Sequence, residues 1–291
     1  MSSKHTNWTA ILVSLVLVWP LAAQSQTDKI ESGLIGAVRS IVTESGTWLP
    51  GSSVLLQGRK FDGKGNVTES KVAFYEAESK QSQGGLTTIY ENDANGNPRA
   101  AKSLTISGEM QETRRYLYDE RANLIELTLY DKNDNLRSKD IHAYDPKGNR
   151  IETKFFGHDG SLRSMAVYAY DSNRNMTSMS FYMPCISQQD CKLEHKTAHV
   201  FEQGKQIETR IYTADGKLGE RSTYAYNTNR QEKEQIIYDP DGSIREKETY
   251  SYEYDSVGNW IKKTTNKAVN KDGKLVPEPP YIVKRTITYY K

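Results

Sequence analysis

Between residues 61 and 265 the chain alternates hydrophobic and polar positions in short runs, and each run is closed by a cluster of Gly, Asn, Asp or Pro. The stretch 144–170, YDPKGNRIETKFFGHDGSLRSMAVYAY, holds two such runs. Asp145-Pro146-Lys147-Gly148 fits a type I turn, in which proline presets φ and glycine takes the left-handed conformation that follows. Beyond it, Ile151, Thr153 and Phe155 point to one side of an extended chain, and Glu152, Lys154 and Phe156 to the other. A second turn at His158-Asp159-Gly160 leads into a return strand over 162–170.

This unit recurs. Its opening aromatic falls at Phe61, Tyr90, Tyr118, Tyr144, Tyr170, Phe201, Tyr226 and Tyr254, with steps of 26 residues on either side of Tyr144 (144−118 and 170−144). Gly65, Gly96, Gly242 and Gly258 repeat the turn glycine of Gly148. Ile125, Ile151, Ile207 and Ile261 share one slot, and Leu136, Leu162, Leu218 and Ile244 another. Glu69, Glu126, Glu152, Glu208 and Glu234 recur in the slot that faces away from the isoleucines. The pairs Tyr116/Tyr118, Tyr168/Tyr170, Tyr224/Tyr226 and Tyr252/Tyr254 each put two rings on one face.

A sustained period of this size is one supersecondary unit stacked on its neighbours. It predicts an all-β fold, an antiparallel meander of about 16 strands from tandem two-strand repeats of about 26 residues, curved into a coiled or partly closed sheet. Residues 26–291 read as one domain, with repeats over 61–265, amino-terminal capping strands over 35–60 and a carboxy-terminal cap over 266–291.

Composition sharpens this only at the margins. A mean hydropathy of −0.74 is low for a globular core but suits a thin sheet wetted on one face. The 39 basic and 37 acidic residues are interspersed, with no basic stripe, which argues against a nucleic-acid partner. At the amino terminus, Lys4 and His5 precede an apolar run over 10–19 and small residues at Ala22 and Ala23. That is the pattern of a secretory signal peptide over 1–25, so the mature chain is expected in the periplasm or outside the cell, with no stable membrane insertion after cleavage. A transmembrane β-barrel is disfavoured because Lys and Glu interrupt both faces of several strands, as with Lys233 in the isoleucine slot.

The Tyr-Asp-x-x-Gly-Asn runs at 144–149 and 254–259, and the related run at 61–66, resemble the YD repeats of RHS-type proteins. The resemblance covers roughly 61–265. It implies a long antiparallel sheet that coils into a shell, without the toxin domain or self-cleavage site of that family.

Candidate chemistry is sparse. Cys185 and Cys191 lie in the unit that runs longest and are expected to form a disulfide across its hairpin tip. Cys191, His195 and His199 imitate a zinc spacing, but on a strand residues four apart sit about 13 Å from each other, so no metal is expected. His142 and His199 occupy slots held elsewhere by tyrosine, and no histidine has a nucleophile partner, so no catalytic or cofactor-binding residue is assigned. The acidic runs at 93–97 and 131–135 lack the continuation of a calcium loop and read as turns.

The expected function is a non-enzymatic exported scaffold that binds a protein or glycan through its tyrosine-bearing surface. The alternative is an envelope or extracellular enzyme acting on polysaccharide, with its cleft built by the cysteine hairpin and the 266–280 loop.

Overall fold

A computed structural model describes residues 33–291 apart from 48, 50, 51 and 80; the signal segment expected over 1–25 lies outside the described residues. The strands are β1 (Val38–Gly46), β2 (Ser53–Phe61), β3 (Val67–Glu76), β4 (Ser82–Asn92), β5 (Pro98–Thr105) and β6 (Met110–Tyr118). Next come β7 (Leu124–Asp131), β8 (Leu136–Tyr144), β9 (Arg150–Gly157), β10 (Leu162–Tyr170), β11 (Met176–Cys185), β12 (Cys191–Glu202) and β13 (Lys205–Thr213). The last are β14 (Leu218–Tyr226), β15 (Glu232–Tyr238), β16 (Ile244–Tyr254), β17 (Trp260–Lys271), β18 (Lys274–Pro277) and β19 (Tyr281–Tyr289).

All belong to one antiparallel sheet of 19 strands, and the sheet closes. β1 pairs with β2 along one edge and with β19 along the other, from Val38↔Tyr289 to Gly46↔Ile282. β17 pairs with β16 on one side; on the other, β19 takes its first half and the short β18 its second. The result is an 18-strand barrel with β18 as an appendage. This corrects the expectation of a coiled or partly closed repeat sheet of about sixteen strands. The segments read as caps, 35–60 and 266–291, contribute wall strands β1, β2 and β19: capping would leave two bare edges, and pairing β1 with β19 leaves none.

Each repeat is a device for turning the chain and twisting the sheet. In the turn at 145–149, the Gly148 amide donates to Asp145 O at 2.9 Å and the Asp145 amide to Asn149 O at 2.9 Å. Asp145 Oδ1 accepts from the amides of Lys147 and Asn149, while the Asn149 amide group donates to Oδ2. The same lattice recurs at 62–66, 93–97, 119–123, 131–135 and 171–175. These bonds lower the pKa of each turn aspartate and commit its carboxylate to the turn. Gly65, Gly96, Gly148, Gly242 and Gly258 have φ of 91°, 90°, 81°, 86° and 98°. In other turns Ala122, Asp134, Arg174 and Arg230 accept the strain at φ of 61–66°.

Behind the turns, the outgoing strand carries one extra residue. Tyr144 faces Arg150 while Ala143 faces Glu152, so Ile151 is the bulge. Ile125, Ile207 and Ile261 are skipped in the same way, which makes the isoleucine slot a bulge slot rather than a rung of the ladder. A bulge increases local twist and leaves a carbonyl short of a partner. Here a tyrosine supplies the donor. Tyr144 Oη bonds Leu124 O, Tyr170 bonds Arg150 O, Tyr226 bonds Gln206 O and Tyr252 bonds Glu232 O, at 2.7–2.9 Å and always twenty residues back.

The barrel is hollow. Strands make extensive contact only with their ladder neighbours, and the main buried cluster is a small one at the closing seam: Leu34, Val38, Ile41 and Phe61 with Val67, Ile287 and Tyr289. Eighteen strands about 4.8 Å apart and tilted about 40° enclose a ring of roughly 18 Å backbone radius.

Gly148→Val should cost on the order of 1–3 kcal/mol, because a β-branched side chain is forced to positive φ. Lys147→Val, on an exposed residue one step earlier, should change stability by less than about 0.5 kcal/mol. Urea unfolding of the two variants measures the difference.

Candidate functional site

The two faces of the wall differ. Directly paired residues share a face, so the registers sort every central side chain. One face carries Tyr116, Tyr168, Tyr224, Tyr250, His142, Thr153, Ser103 and Ala166; the other carries Lys139, Glu126, Lys154, Glu152, Lys247 and Glu234. Small residues report the curvature. On the tyrosine face Ala101, Ser103, Thr153 and Ala166 are at most 2% exposed, whereas Ala143, Ala169 and Ser251 on the other face are exposed. Crowding marks the concave side, so the tyrosine face lines the lumen. Phe155 and Phe181, on strands separated by β10, converge over its Ser164 and Ala166 with ring centroids 6.4 Å apart. At the far rim of β1–β4 the wall flares the other way. There Val54, Ala73 and Tyr75 of the outer face are buried, and Val72, Phe74 and Leu86 of the inner face are 38%, 47% and 40% exposed.

The outer face is belted with ion pairs: Lys60–Glu69, Lys102–Glu91, Lys139–Glu126, Lys154–Glu152, Arg210–Glu208, Arg221–Glu208, Lys247–Glu234 and Lys262–Glu253. The recurrent glutamates therefore point outward, each against a cation. Exposed pairs of this kind contribute little to stability, about 0–1 kcal/mol each. Their consequence is for the environment the barrel tolerates.

The lumen wall holds the groups with altered chemistry. Arg150, turned inward at its bulge, is buried and lies over the Tyr168 ring at 5.0 Å. Beside it, burial pushes Asp140 up to about 6 against the pull of Arg150, and burial together with Arg150 pushes His142 down to about 4. His142 Nδ1 sits 3.0 Å from Thr153 Oγ1, and His199 Nδ1 sits 3.2 Å from Thr209 Oγ1. A second group lies at the seam. Lys263 stands 4.0 Å above the Tyr250 ring, and Arg285 stacks on Trp260 at 3.3 Å. Burial lowers Lys263; burial and the neighbouring Arg59 lower Arg285 to about 10.

Cys185 and Cys191 form a disulfide that closes the β11–β12 hairpin. His195 does not approach them; its ring packs on Phe181 at 5.5 Å. Among the described residues no three His, Cys, Asp or Glu side chains converge to hold a metal. Sequence reasoning passed over Asp140, Arg150, Lys263 and Arg285. The first, third and fourth sit in the inward phase of their strands, but charge on both faces hid them; Arg150 lies beyond the bulge, which shifts it out of the phase of Glu152.

No family model matches the chain, and no curated protein matches it. Among solved structures, a porin-like protein from Bacteroides uniformis is similar with a TM-score of 0.52 at 13% identity, over 86% of this chain and 98% of that one. A porin-like protein from Bacteroides vulgatus matches over 87% and 98% at 13% identity with a TM-score of 0.34. A TcdB2-TccC3-Cdc42 complex matches over 77% of this chain and 14% of that chain at 12% identity, with a TM-score of 0.28. The last two overlays are too loose to carry an argument. The first shows the fold, and with the closed wall it overturns the resemblance to RHS-type YD repeats.

Asp140 gives a pH-dependent handle. Its folded pKa of about 6 lies above the ordinary 3.8, so the folded chain keeps a proton that the unfolded chain has lost, and the group costs stability as pH rises from 3.8 through 6. Asp140→Asn should therefore stabilise the barrel at pH 7 by on the order of 1–2 kcal/mol and have no effect at about pH 3.5. Urea titrations at the two pH values measure it.

Proposed function

We propose that this chain is an exported, non-enzymatic barrel that stands in the periplasm or outside the cell and holds a glycan chain along its lumen. The observation that carries the reading is the polarity of the wall. A bilayer-spanning barrel is apolar outside, and a Lys or Arg facing lipid near the midplane costs about 2–4 kcal/mol. Here paired Lys, Arg and Glu occupy mid-strand positions around the outer face. Outer aromatics gather mainly toward one rim, at Tyr130, Phe156, Tyr182, Tyr212 and Tyr238, instead of forming a girdle on each side of an apolar band.

The lumen has what the outside lacks. Half-buried rings of Tyr116, Tyr168, Tyr224 and Tyr250 alternate along it with Ser, Thr and His. Flat rings pack against the apolar face of a sugar, and hydroxyls and imidazoles meet its hydroxyl groups. A lumen of roughly 18 Å backbone radius has room for a polymer chain to enter.

Detergent-free fractionation of cells producing the full chain tests the first half: the mature protein should be recovered monodisperse from the periplasm or the medium. Sedimentation with the outer membrane and release only by detergent would overturn it. For the second half, retention on immobilised polysaccharides should fall at least about tenfold when Tyr168 and Tyr224 are both replaced by Ala.

A further inference from the structure

We infer that the lumen wall at β17, β19 and β2 is an anion site, and that the glycan it takes is acidic, bound through a carboxylate. The inference rests on the lumen-binding reading and names the chemical class of its ligand. Lys263, Arg285 and Arg59 belong to the inward-facing rows of strands that meet at the closing seam. Lys263 is opposite Val283, two residues before Arg285; Arg285 is opposite Thr43; and Arg59 is opposite Ile41, two residues before Thr43.

Elsewhere the basic residues of the wall are mostly matched by acid. Outer-face cations pair with the recurrent glutamates, and on the lumen side Arg114 pairs with Glu112 and Lys267 with Glu246; Arg150 makes no ion pair among the described residues but has Asp140 beside it. Among the described residues, no ion pair is formed by Lys263 or Arg285. What fixes them is aromatic. Trp260 lies flat against the Arg285 guanidinium, while Tyr250 and Tyr252 lie under Lys263 at 4.0 and 5.9 Å. Ring faces hold a cation in place without neutralising it; Glu232 and Glu248 act on Lys263 without forming an ion pair with it, whereas the charged neighbour of Arg285 is another cation. Arg285 Nε is buried with no hydrogen-bond acceptor, and Arg59 adds a like charge beside it.

A buried donor without a partner and like charges side by side both raise the free energy of the empty site, and one carboxylate relieves both. A guanidinium edge receives a carboxylate in a two-point contact, and Lys263 adds a third donor from the next wall strand. Trp260, Tyr250 and Tyr252 then offer ring faces to the sugar that bears the acid. That combination fits a uronic acid residue within a chain and offers nothing specific to an uncharged sugar.

Calorimetric titration of the full mature chain tests this with a short oligogalacturonate, its methyl-esterified neutral counterpart and inorganic phosphate. The oligogalacturonate should bind at least about tenfold more tightly than the ester and should weaken with added salt. Arg285→Gln and Lys263→Gln should each remove most of that preference while leaving ester binding unchanged; Lys139→Gln, on the outer face, should leave both unchanged. Thermal unfolding of each variant checks folding, and if Arg285→Gln does not fold, Lys263→Gln and Arg285→Lys carry the test. Equal binding of acid and ester, or a preference that survives both substitutions, overturns the anion site and leaves the lumen reading standing. Phosphate binding as tightly as the oligomer overturns the assignment to a glycan. Failure of every glycan to bind the unaltered chain overturns the lumen reading itself.

Discussion

The ladder between β1 and β19 is the contact on which the rest of the molecule depends. A sheet of this length without it would expose two unpaired edges, each a template for aggregation, and would have no inside. The seam is reinforced where it closes. Leu34, Val38, Ile41 and Phe61 form the main buried cluster against Ile287 and Tyr289, and Tyr290 Oη reaches Phe61 O across the junction. Asn259 ties the entering chain to the same place through its bonds to both Ile35 backbone groups and to Tyr289. Little else resembles a core, so most of the burial in this chain is of side chains against their own wall.

Closure also gives the two faces different meanings. On a flat sheet the tyrosine rows and the Lys–Glu rows would be equally wet. Once the sheet curves, small residues on the concave side disappear under their neighbours, and charges such as Asp140, Arg285 and Lys263 become surrounded by protein. The convex side spreads its side chains apart, which is where long, flexible Lys and Glu pairs lose least by being exposed. This polarity is opposite to that of a lipid-embedded barrel.

The tyrosines divide into two populations. Those at Tyr144, Tyr170, Tyr226 and Tyr252 use their hydroxyls to satisfy bulge carbonyls, so they build the wall. Tyr168, Tyr224 and Tyr250 sit one row further in: Tyr168 and Tyr250 present ring faces to Arg150 and Lys263, and the Tyr224 hydroxyl donates to Thr209 Oγ1. The second row supplies most of the rings that the proposed glycan would meet. The same repeat that makes the barrel supplies its lining, and the chemistry of the lining changes wherever a repeat slot holds His, Asp, Lys or Arg instead.

Local chemistry was legible from the residues alone. Asp-x-x-Gly-Asn is its own turn, because the carboxylate, two amides and the asparagine side chain satisfy one another within five residues. Alternation separated Glu152 from Thr153, and the spacing of Cys185 and Cys191 placed their bond. Closure was not legible. It joins residues near 40 to residues near 287, and neither segment carries a pattern that names the other. The bulges were hidden for a related reason: Arg150, Ile151 and Glu152 look like successive rungs until the opposite strand pairs Tyr144 with Arg150 and Ala143 with Glu152, leaving Ile151 out. The anion site needed all of this at once, since Arg59, Lys263 and Arg285 come from opposite ends of the chain and meet only because the last wall strand pairs with the first. Turn and strand propensities are set by neighbours along the chain, whereas enclosure depends on pairing between distant segments and exists only after the ring is complete.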